Sequence, residues 1–194
     1  MIVLASKSAS RRAMLDAAGI AFTISPAHID ERALEAELGG VSPEEVALAL
    51  AREKAMSVSR ETSGAFVLGS DSLVVCGGRR FDKPESREAA AEHLRFFSGK
   101  TMELHSAAAL VRDGALVWAE AALARLHVAN LSDEFIETYL DAEWPEVAGC
   151  VGVFRIEGRG VQLFEAVDGD YFTILGMPLL KVQAALRREG VLAR

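Results

Sequence analysis

The strongest constraint on the fold is a pair of long extended segments joined by the dipeptide Asp113-Gly114. Residues Met102 to Val111 and Leu116 to Val128 are mostly apolar, and Asp-Gly between two such segments is a strong signal for a two-residue hairpin turn. Elsewhere short apolar runs alternate with helical patterns, which favours parallel strands. Together these signals predict an α/β protein with a mixed, twisted sheet flanked by helices.

A second strong signal is the start of a helix at Ser42. Ser42 is the expected N-cap, Pro43 suits the first helical position, and Glu45 completes a capping box. This helix is predicted to run to about Arg60. The 194 residues predict one compact, two-lobed domain over residues 1–194. Further helices are predicted over 11–18, 86–97, 132–144 and 178–186, and further strands over 2–4, 21–25, 66–68, 73–75, 151–156, 161–167 and 171–175.

Charge and composition exclude several classes of protein. Lys+Arg 21 against Asp+Glu 28 gives a net charge of −7, which argues against a nucleic-acid-binding protein. Aromatic residues make up only 7% of the chain, too few for base-stacking platforms. No apolar run approaches the roughly 18 residues of a membrane span, and Cys76 and Cys150 stand alone. We therefore expect a cytoplasmic protein with reduced cysteines and no structural zinc.

The loop from Ser6 to Ser10 leads into a predicted helix that begins with Arg11-Arg12. Cations in the first turn of a helix are locally unfavourable, because the helix N-terminus carries partial positive charge. Such departures from local rules cluster at functional sites. Beside serine hydroxyls, including that of Ser8, the arginines would form a pocket for a phosphate or carboxylate. A surface arginine pair with a serine cap is the equally weighted alternative.

A polar segment, Gly69-Ser70-Asp71-Ser72, follows the apolar run 66–68. Ligands of open α/β sheets gather beyond the carboxyl ends of strands, so Asp71 is a candidate metal ligand or general base. An unperturbed aspartate, with a pKa of about 3.9, is a weak base, and a bound Mg²⁺ would help by acidifying its water. The alternative is an Asx-turn linking two strands.

Three further charged features carry weaker signals. Asp30-Glu31 could complete a metal site with Asp71, because Mg²⁺ takes few carboxylates plus waters and phosphate oxygens. Lys54, near the end of its helix, and Lys83, held extended by the following proline, could each neutralise a phosphate oxygen. An exposed acidic pair and two solvated lysines are the alternatives.

The segment Glu157-Gly158-Arg159-Gly160 is a glycine-flanked turn. Glycines there would let the backbone approach a base or sugar, although hairpin turns have the same composition. The chain contains no Walker A sequence, complete GxGxxG, HExxH or GxSxG motif. Ser/His/Asp hydrolysis therefore has no support.

Taken in order along the chain, nine short segments resemble the Maf family of nucleoside triphosphate pyrophosphatases. The resemblance covers essentially the whole chain. The segments are 4–12 (Leu-Ala-Ser-Lys-Ser-Ala-Ser-Arg-Arg), 29–31 (Ile-Asp-Glu), 51–55 (Ala-Arg-Glu-Lys-Ala), 69–72 (Gly-Ser-Asp-Ser), Lys83-Pro84, Ser98-Gly99, Ala148-Gly149, 157–160 (Glu-Gly-Arg-Gly) and 176–179 (Gly-Met-Pro-Leu).

The resemblance implies a hydrolase acting on phosphoric anhydrides, which splits nucleoside triphosphates into monophosphate and pyrophosphate with a divalent cation, Mg²⁺ or Mn²⁺. It also implies an elongated fold like that of Maf and inosine-triphosphatase proteins, with a central cleft, and a homodimer. By position, Asp71 matches the catalytic aspartate and, with Glu31, the metal site. Matches to substrate-binding positions are Ser6, Ser8, Arg11, Arg12, Lys54 and Lys83, and those to positions that separate substrate subgroups are Ser10, Ser72 and Glu157.

Some positions depart from the family pattern. Ala9 stands where the family loop usually has proline. The subgroup selective for dTTP and UTP has arginine, threonine and glutamine where this chain has Ser10, Ser72 and Glu157, which counts against that selectivity. Glu157 agrees with the subgroup resembling 7-methyl-GTP pyrophosphatase, where the Ser72 position is usually glutamine. A carboxylate could accept hydrogen bonds from a guanine-like base, so the expectation favours modified or non-canonical purine nucleotides.

The expected mechanism is in-line attack of water on the α-phosphorus, with Asp71 orienting the water and Arg11, Lys54 and Lys83 neutralising the phosphates. Arg12 is a weaker candidate because it could face solvent. The alternative is a non-catalytic, nucleotide-sensing regulator of cell division and septum formation, which would need the cations but not Asp71. A phosphatase that releases terminal orthophosphate is the alternative among enzymes.

Overall fold

The computed structural model describes residues 1–193. The strands are β1 (Ile2–Leu4), β2 (Thr23–Ile24), β3 (Phe66–Cys76), β4 (Arg79–Phe81), β5 (Thr101–Arg112), β6 (Ala115–Val128) and β7 (Phe164–Asp168). The helices are α1 (Ala9–Ala17), α2 (Glu31–Leu38), α3 (Pro43–Ser59), α4 (Arg87–Phe97), α5 (Asp133–Glu143), α6 (Tyr171–Ile174) and α7 (Leu179–Arg188), with 3₁₀ turns at Glu146–Gly149 and Arg159–Leu163.

Over the described residues the strands form one seven-stranded mixed sheet. The order is β2-β1-β3-β5-β6-β7, and β4 pairs with β3. The pairs β1–β2 and β1–β3 are parallel, whereas β3–β4 and β6–β7 are antiparallel. The prediction of an α/β protein with a mixed sheet is therefore confirmed. The hairpin across Asp113-Gly114 is confirmed too, since both residues have the positive φ, 49° and 75°, that a two-residue turn needs.

The chain divides into two compact units. Unit 1 contains Met1–Ser72, His105–Ala122 and the described residues from Asp170 onward, and unit 2 contains Leu73–Leu104 and Leu123–Gly169. Unit 1 has a core of fully buried aliphatic side chains from β1, α1, β5 and α7, each worth about 1.5–3 kcal/mol. In unit 2, Phe97 is buried against Phe81 and His93, with ring centroids 4.6 Å and 5.9 Å away.

The predicted helix starts are confirmed where side chains cap the backbone. Ser42 and Glu45 form the reciprocal capping box of α3, and Ser86 and Ser132 cap α4 and α5. The start of α1 lies two residues earlier than predicted, because Ser8 is its N-cap and accepts from the Arg11 N–H. Asp30 is likewise the N-cap of α2, so Glu31 begins a helix that was not predicted from the sequence.

The largest error concerns residues 69–72, which lie inside the eleven-residue strand β3. Both the prediction that the strand ends at residue 68 and the alternative of an Asx-turn are wrong. The composition of this segment is typical of a turn, but tertiary contacts keep it extended. The Ser70 hydroxyl, for example, is buried and donates to the Ala107 carbonyl at 2.8 Å.

Three strands predicted in the C-terminal third are also wrong or shifted. Residues 151–156 form turns, with Val153 at a φ of 58°. Residues 161–163 belong to a 3₁₀ turn, and strand β7 follows it. Residues 171–174 form helix α6, because the Asp170 carboxylate caps the N–H groups of Phe172 and Thr173 at 3.0 Å each.

Candidate active site

In unit 1, helix α3 and strand β3 meet backbone to backbone at Gly69. A Cβ on Gly69 would lie 2.1 Å from the Ala51 carbonyl oxygen and 2.7 Å from the Ala55 nitrogen, so no other residue fits without moving the helix. Ala51 and Ala55 are fully buried and lie one helical turn apart. This close approach places Lys54 of α3 beside Asp71, two residues beyond Gly69 on β3.

Lys54 lies between two carboxylates. Its Nζ is 2.5 Å from Oδ1 of Asp71 and 3.0 Å from Oε1 of Glu31. The Lys54 and Asp71 side chains are 12% and 10% exposed, whereas that of Glu31 is 49% exposed at the start of α2. A pair as buried as Lys54 and Asp71 is screened less than a surface pair. We therefore expect the Asp71 carboxylate to be fixed in orientation.

The two carboxylates fit the predicted divalent cation. Asp71 and Glu31 already direct one oxygen each at a single positive charge. No group of three or more metal-ligating side chains occurs among residues 1–193. Mg²⁺ commonly binds one or two carboxylates and completes its shell with waters and substrate phosphates. Mn²⁺ takes similar oxygen ligands. The donor set suits a cation shared with a triphosphate, not a closed protein cage.

Arg11 is a buried cation held by uncharged groups. It is 8% exposed, and its Nε donates to the Gly176 carbonyl at 2.9 Å. Nη1 donates to the Ser6 hydroxyl at 3.4 Å, and Nη2 to the Ser72 hydroxyl at 3.3 Å. Within residues 1–193 no carboxylate forms an ion pair with it. Burial lowers the pKa of Arg11, and the charges of Asp71 and Glu31 oppose that shift. The guanidinium stays charged at any physiological pH, so it is suited to bind an anion.

Gly176 positions Arg11, and the sequence reasoning gave it no role. Its φ of +98° is a left-handed conformation that favours glycine. Its carbonyl accepts from Arg11 and lies 3.2 Å from the buried Ser70 hydroxyl. A Cβ here would lie 3.2 Å from Oγ of Ser72. The only signal was the resemblance at 176–179, because a backbone carbonyl has no residue type that marks it.

The two arginines in the first turns of α1 have different surroundings. Arg12 is exposed, in contrast to Arg11. Ser6, Ser8 and Arg12 line a cavity of about 220 Å³ together with Lys7, Ile24 and Pro26. The Ser8 N–H donates to the Ser6 hydroxyl at 3.1 Å. The structure thus combines the two interpretations of this loop: a serine does cap the helix, and one arginine of the pair is buried among the candidate site residues.

The predicted specificity positions fall in different places. Ser10 lies half-buried in the first turn of α1. Ser72 lies in β3 and accepts from Arg11. Glu157 is exposed in a turn of unit 2, and Lys83 is exposed between β4 and α4 of the same unit.

Lys83 and Glu157 are neighbours of one half-buried thiol in unit 2. Burial raises the pKa of Cys150, and the charge of Glu157 raises it further, while Arg155 and Lys83 lower it. The Arg155 guanidinium forms an ion pair with Glu143 at 2.9 Å. Neither Arg155 nor Glu143 was marked by the sequence reasoning. Unit 1 brings together six of the predicted site residues, Ser6, Arg11, Glu31, Lys54, Asp71 and Ser72, and it also contains Ser8, Ser10 and Arg12. Unit 2 carries the remaining two, Lys83 and Glu157.

The sequence matches the model of the Maf-like protein family over residues 1–189, and the chain belongs to this family. It is 46% identical over 192 residues to the nucleoside triphosphate pyrophosphatase of Nitrobacter hamburgensis, covering 99% of this chain and 95% of the relative. It is 47% identical over 190 residues to the 7-methyl-GTP pyrophosphatase of Brucella suis, covering 97% and 96%. A solved HAM1 protein from Coxiella burnetii is 20% identical, with a TM-score of 0.45 over 67% of this chain and 73% of its own.

Proposed function

We propose that the protein hydrolyses nucleoside triphosphates to nucleoside monophosphate and pyrophosphate. The observation that carries this proposal is the arrangement in unit 1, where two carboxylates converge on Lys54 near a buried arginine that has no carboxylate partner within residues 1–193. Carboxylates suit a metal ion and a water molecule, and the cations suit a polyphosphate. Family membership and the names of the curated relatives support the same reaction.

Asp71 is the proposed base. Lys54 holds its Oδ1, so the carboxylate is oriented before substrate arrives. In the proposed reaction Asp71 orients a water molecule for in-line attack on the α-phosphorus and accepts its proton. The bond between the α-phosphorus and the oxygen that bridges to the β-phosphate breaks, and pyrophosphate leaves with that oxygen. Asp71 and Glu31 would hold a divalent cation, Mg²⁺ or Mn²⁺, whose chemistry is to acidify water and neutralise phosphate oxygens.

The cations stabilise the phosphate charge. Arg11 offers a planar set of donors that matches phosphate oxygens, and its position is fixed by Gly176, Ser6 and Ser72. Phosphoryl transfer depends mainly on positioning and charge stabilisation, so preset cations lower the barrier. Arg12 of unit 1 and Lys83 of unit 2, both exposed, are further proposed to bind phosphate oxygens. Ser6 and Ser8 are proposed to bind phosphate oxygens at the N-terminus of α1.

The proposed substrates are modified or non-canonical purine nucleotides. Glu157 is exposed in its turn and could accept hydrogen bonds from the amino group and N1–H of a guanine-like base. Ser10 and Ser72 are proposed to contribute to the same selection. The Brucella suis relative, named a 7-methyl-GTP pyrophosphatase, supports this preference.

The proposed setting is the cytoplasm, where the protein would act as a homodimer without nucleic-acid or membrane partners. Cys76 and Cys150 are free thiols, which is typical of a reducing compartment. None of the helices within residues 1–193 has the length and apolar character needed to cross a bilayer. The net charge of −7 is unfavourable for binding a phosphate backbone.

The test is product identification over a panel of canonical and methylated triphosphates, with Mg²⁺, with Mn²⁺ and with a chelator. We expect cation-dependent release of pyrophosphate and nucleoside monophosphate. Release of orthophosphate and nucleoside diphosphate would instead identify a phosphatase. Tight nucleotide binding without turnover would favour the nucleotide-sensing regulator.

A further inference from the structure

Asp71 and Glu143 are the two buried carboxylates among residues 1–193, and the proposed mechanism uses only Asp71. Glu143 is 4% exposed and is the last residue of α5. Both features disfavour a carboxylate there: burial removes its hydration, and the C-terminal end of a helix carries partial negative charge. Such costly placements concentrate at functional sites, so the contacts of Glu143 show what it does for the fold.

The Glu143 carboxylate accepts two hydrogen bonds from the Arg155 guanidinium. Its Oε2 accepts from Nη2 of Arg155 at 2.9 Å and from Nε at 3.2 Å. The Arg155 side chain is 38% exposed, so this pair lies at the boundary between interior and solvent. The planar guanidinium fixes direction as well as distance, which a lysine ammonium does not. Arg155 is thereby tied to the end of α5.

The turn that carries Glu157 is built on the backbone of Arg155. The Gly158 N–H donates to the Arg155 carbonyl at 3.1 Å. A Cβ on Gly160 would lie 2.5 Å from that carbonyl oxygen and 2.7 Å from the Arg155 nitrogen, so the chain packs against the Arg155 backbone more closely than a side chain would allow. A Cβ on Gly158 would also lie 4.0 Å from Oε2 of Glu143. Movement of Arg155 would therefore displace Glu157, two residues further on.

A second contact from α5 holds the chain at Val153, two residues before Arg155. Tyr139 lies four residues before Glu143, on the same helix face. Its buried hydroxyl donates to the Val153 carbonyl at 2.9 Å, and burial raises the pKa of this phenol, which remains a donor. Val153 has a φ of 58°, an unfavourable conformation for a β-branched residue. Helix α5 thus fixes residues 153–160 at two points, one of which is strained.

We propose that Glu143 and Arg155 are positioning residues that set which nucleotide base the protein prefers, by holding the turn of Glu157. The inference rests on the proposed function, since it assigns base selection to Glu157. The phosphate chemistry of unit 1 does not depend on this pair.

The test compares the ratio of kcat/KM between a guanine triphosphate and a uridine triphosphate in three variants. Glu143→Gln removes the charge at nearly constant shape, and Arg155→Lys retains the cation without its planar fork. Arg87→Met is the matched control, because Arg87 forms ion pairs with Glu137 and Asp141 on the same helix α5. Thermal unfolding is measured alongside for each variant.

We expect Glu143→Gln to reduce the base preference roughly tenfold, mainly through KM of the preferred nucleotide, as a small displacement of a positioned group does. Arg155→Lys should give an intermediate reduction, and it keeps the test measurable if Glu143→Gln fails to fold. Arg87→Met should leave the preference unchanged. An unchanged preference in Arg155→Lys, or an equal loss in Arg87→Met, would overturn the inference. If the wild-type protein releases no pyrophosphate from any triphosphate, the proposed function itself is wrong.

Discussion

The two units hold their candidate functional side chains in different ways. In unit 1, Arg11 and Asp71 are buried on a helix and a strand; the Gly176 carbonyl holds Arg11 and the Lys54 ammonium holds Asp71. In unit 2, Lys83 and Glu157 are exposed in connecting segments, and Glu157 depends on an ion pair two residues away. Groups that stabilise charge during a reaction gain most when they are fixed in advance and shielded from water. An exposed carboxylate on a turn can change its partner at small cost to the fold. We therefore propose that Arg11 and Asp71 of unit 1 mainly determine the rate, and that Glu157 of unit 2 mainly determines the nucleotide preference.

The largest effect is expected from Asp71→Asn. The amide cannot accept the proton of water, and it removes one of the two carboxylates proposed to hold the cation. We expect kcat to fall at least about 10²–10³-fold, measured as pyrophosphate release at saturating substrate. Asp113→Asn, in the hairpin turn of the same unit, is the control. Turnover of Asp71→Asn within a few-fold of wild type would remove Asp71 from the mechanism.

Arg11→Met is expected to have the next largest effect. The variant loses a buried, preset cation, so we expect kcat/KM to fall about 10²-fold for every nucleotide in the panel. Arg12→Met removes an exposed cation one residue away. Its effect on kcat/KM should be several-fold and should be greatest at low ionic strength, where surface charges are least screened. Equal losses in the two variants would contradict the distinction between buried and exposed cations.

Gly69→Ala tests whether backbone packing in unit 1 sets the position of Lys54. The added methyl group meets the Ala51 carbonyl, so helix α3 must move away from β3. We expect a loss of about 1–3 kcal/mol in the free energy of unfolding, together with reduced kcat for all substrates. Gly149→Ala is the control, because a Cβ there contacts nothing within 4 Å. Normal kcat in a destabilised Gly69→Ala protein would show that Lys54 does not need this packing.

Glu157→Gln is expected to have the smallest effect on rate. It changes an exposed acceptor into a group that also donates, so the order of nucleotide preference should shift while kcat on the best substrate stays within a few-fold. Competition between purine and pyrimidine triphosphates measures that order directly. Glu165→Gln, an exposed glutamate in β7 of the same unit, should leave the order unchanged.

Local rules predicted the elements whose ends are set by their own side chains. Ser42 and Glu45 satisfy each other within one helical turn, so the start of α3 could be derived from four residues. Asp113-Gly114 likewise favours a two-residue turn through its own residue types, although the Asp113 carboxylate also accepts from the Gly64 N–H and the Gly114 N–H donates to the Ser59 hydroxyl. The prediction for residues 69–72 was wrong because their conformation depends on contacts with α3 and with the Ala107 carbonyl. Local propensity does not include such contacts.

The candidate site shows the same contrast between what local sequence predicts and what distant contacts determine. Asp71, Lys54 and Arg11 could be named from charge, position and resemblance, because their chemistry lies in their side chains. The partners that hold them were missed where the contact is a backbone atom, as at Gly176. Glu143 was missed because its burial and its pairing with Arg155 arise only after α5 and the segment 153–160 have packed.

Strand β3 places alternate functional groups on opposite faces. Ser70 and Ser72 are directed toward Gly176 and Arg11, while Asp71 between them meets Lys54. Side chains in a strand repeat every two residues, so a slip of one position would exchange the carboxylate for a hydroxyl. The parallel pairing of Leu4 with Leu68, three residues before Asp71, therefore does more than build the core. The same alignment of two short apolar runs decides whether the helix α3 lysine meets an acid or an alcohol.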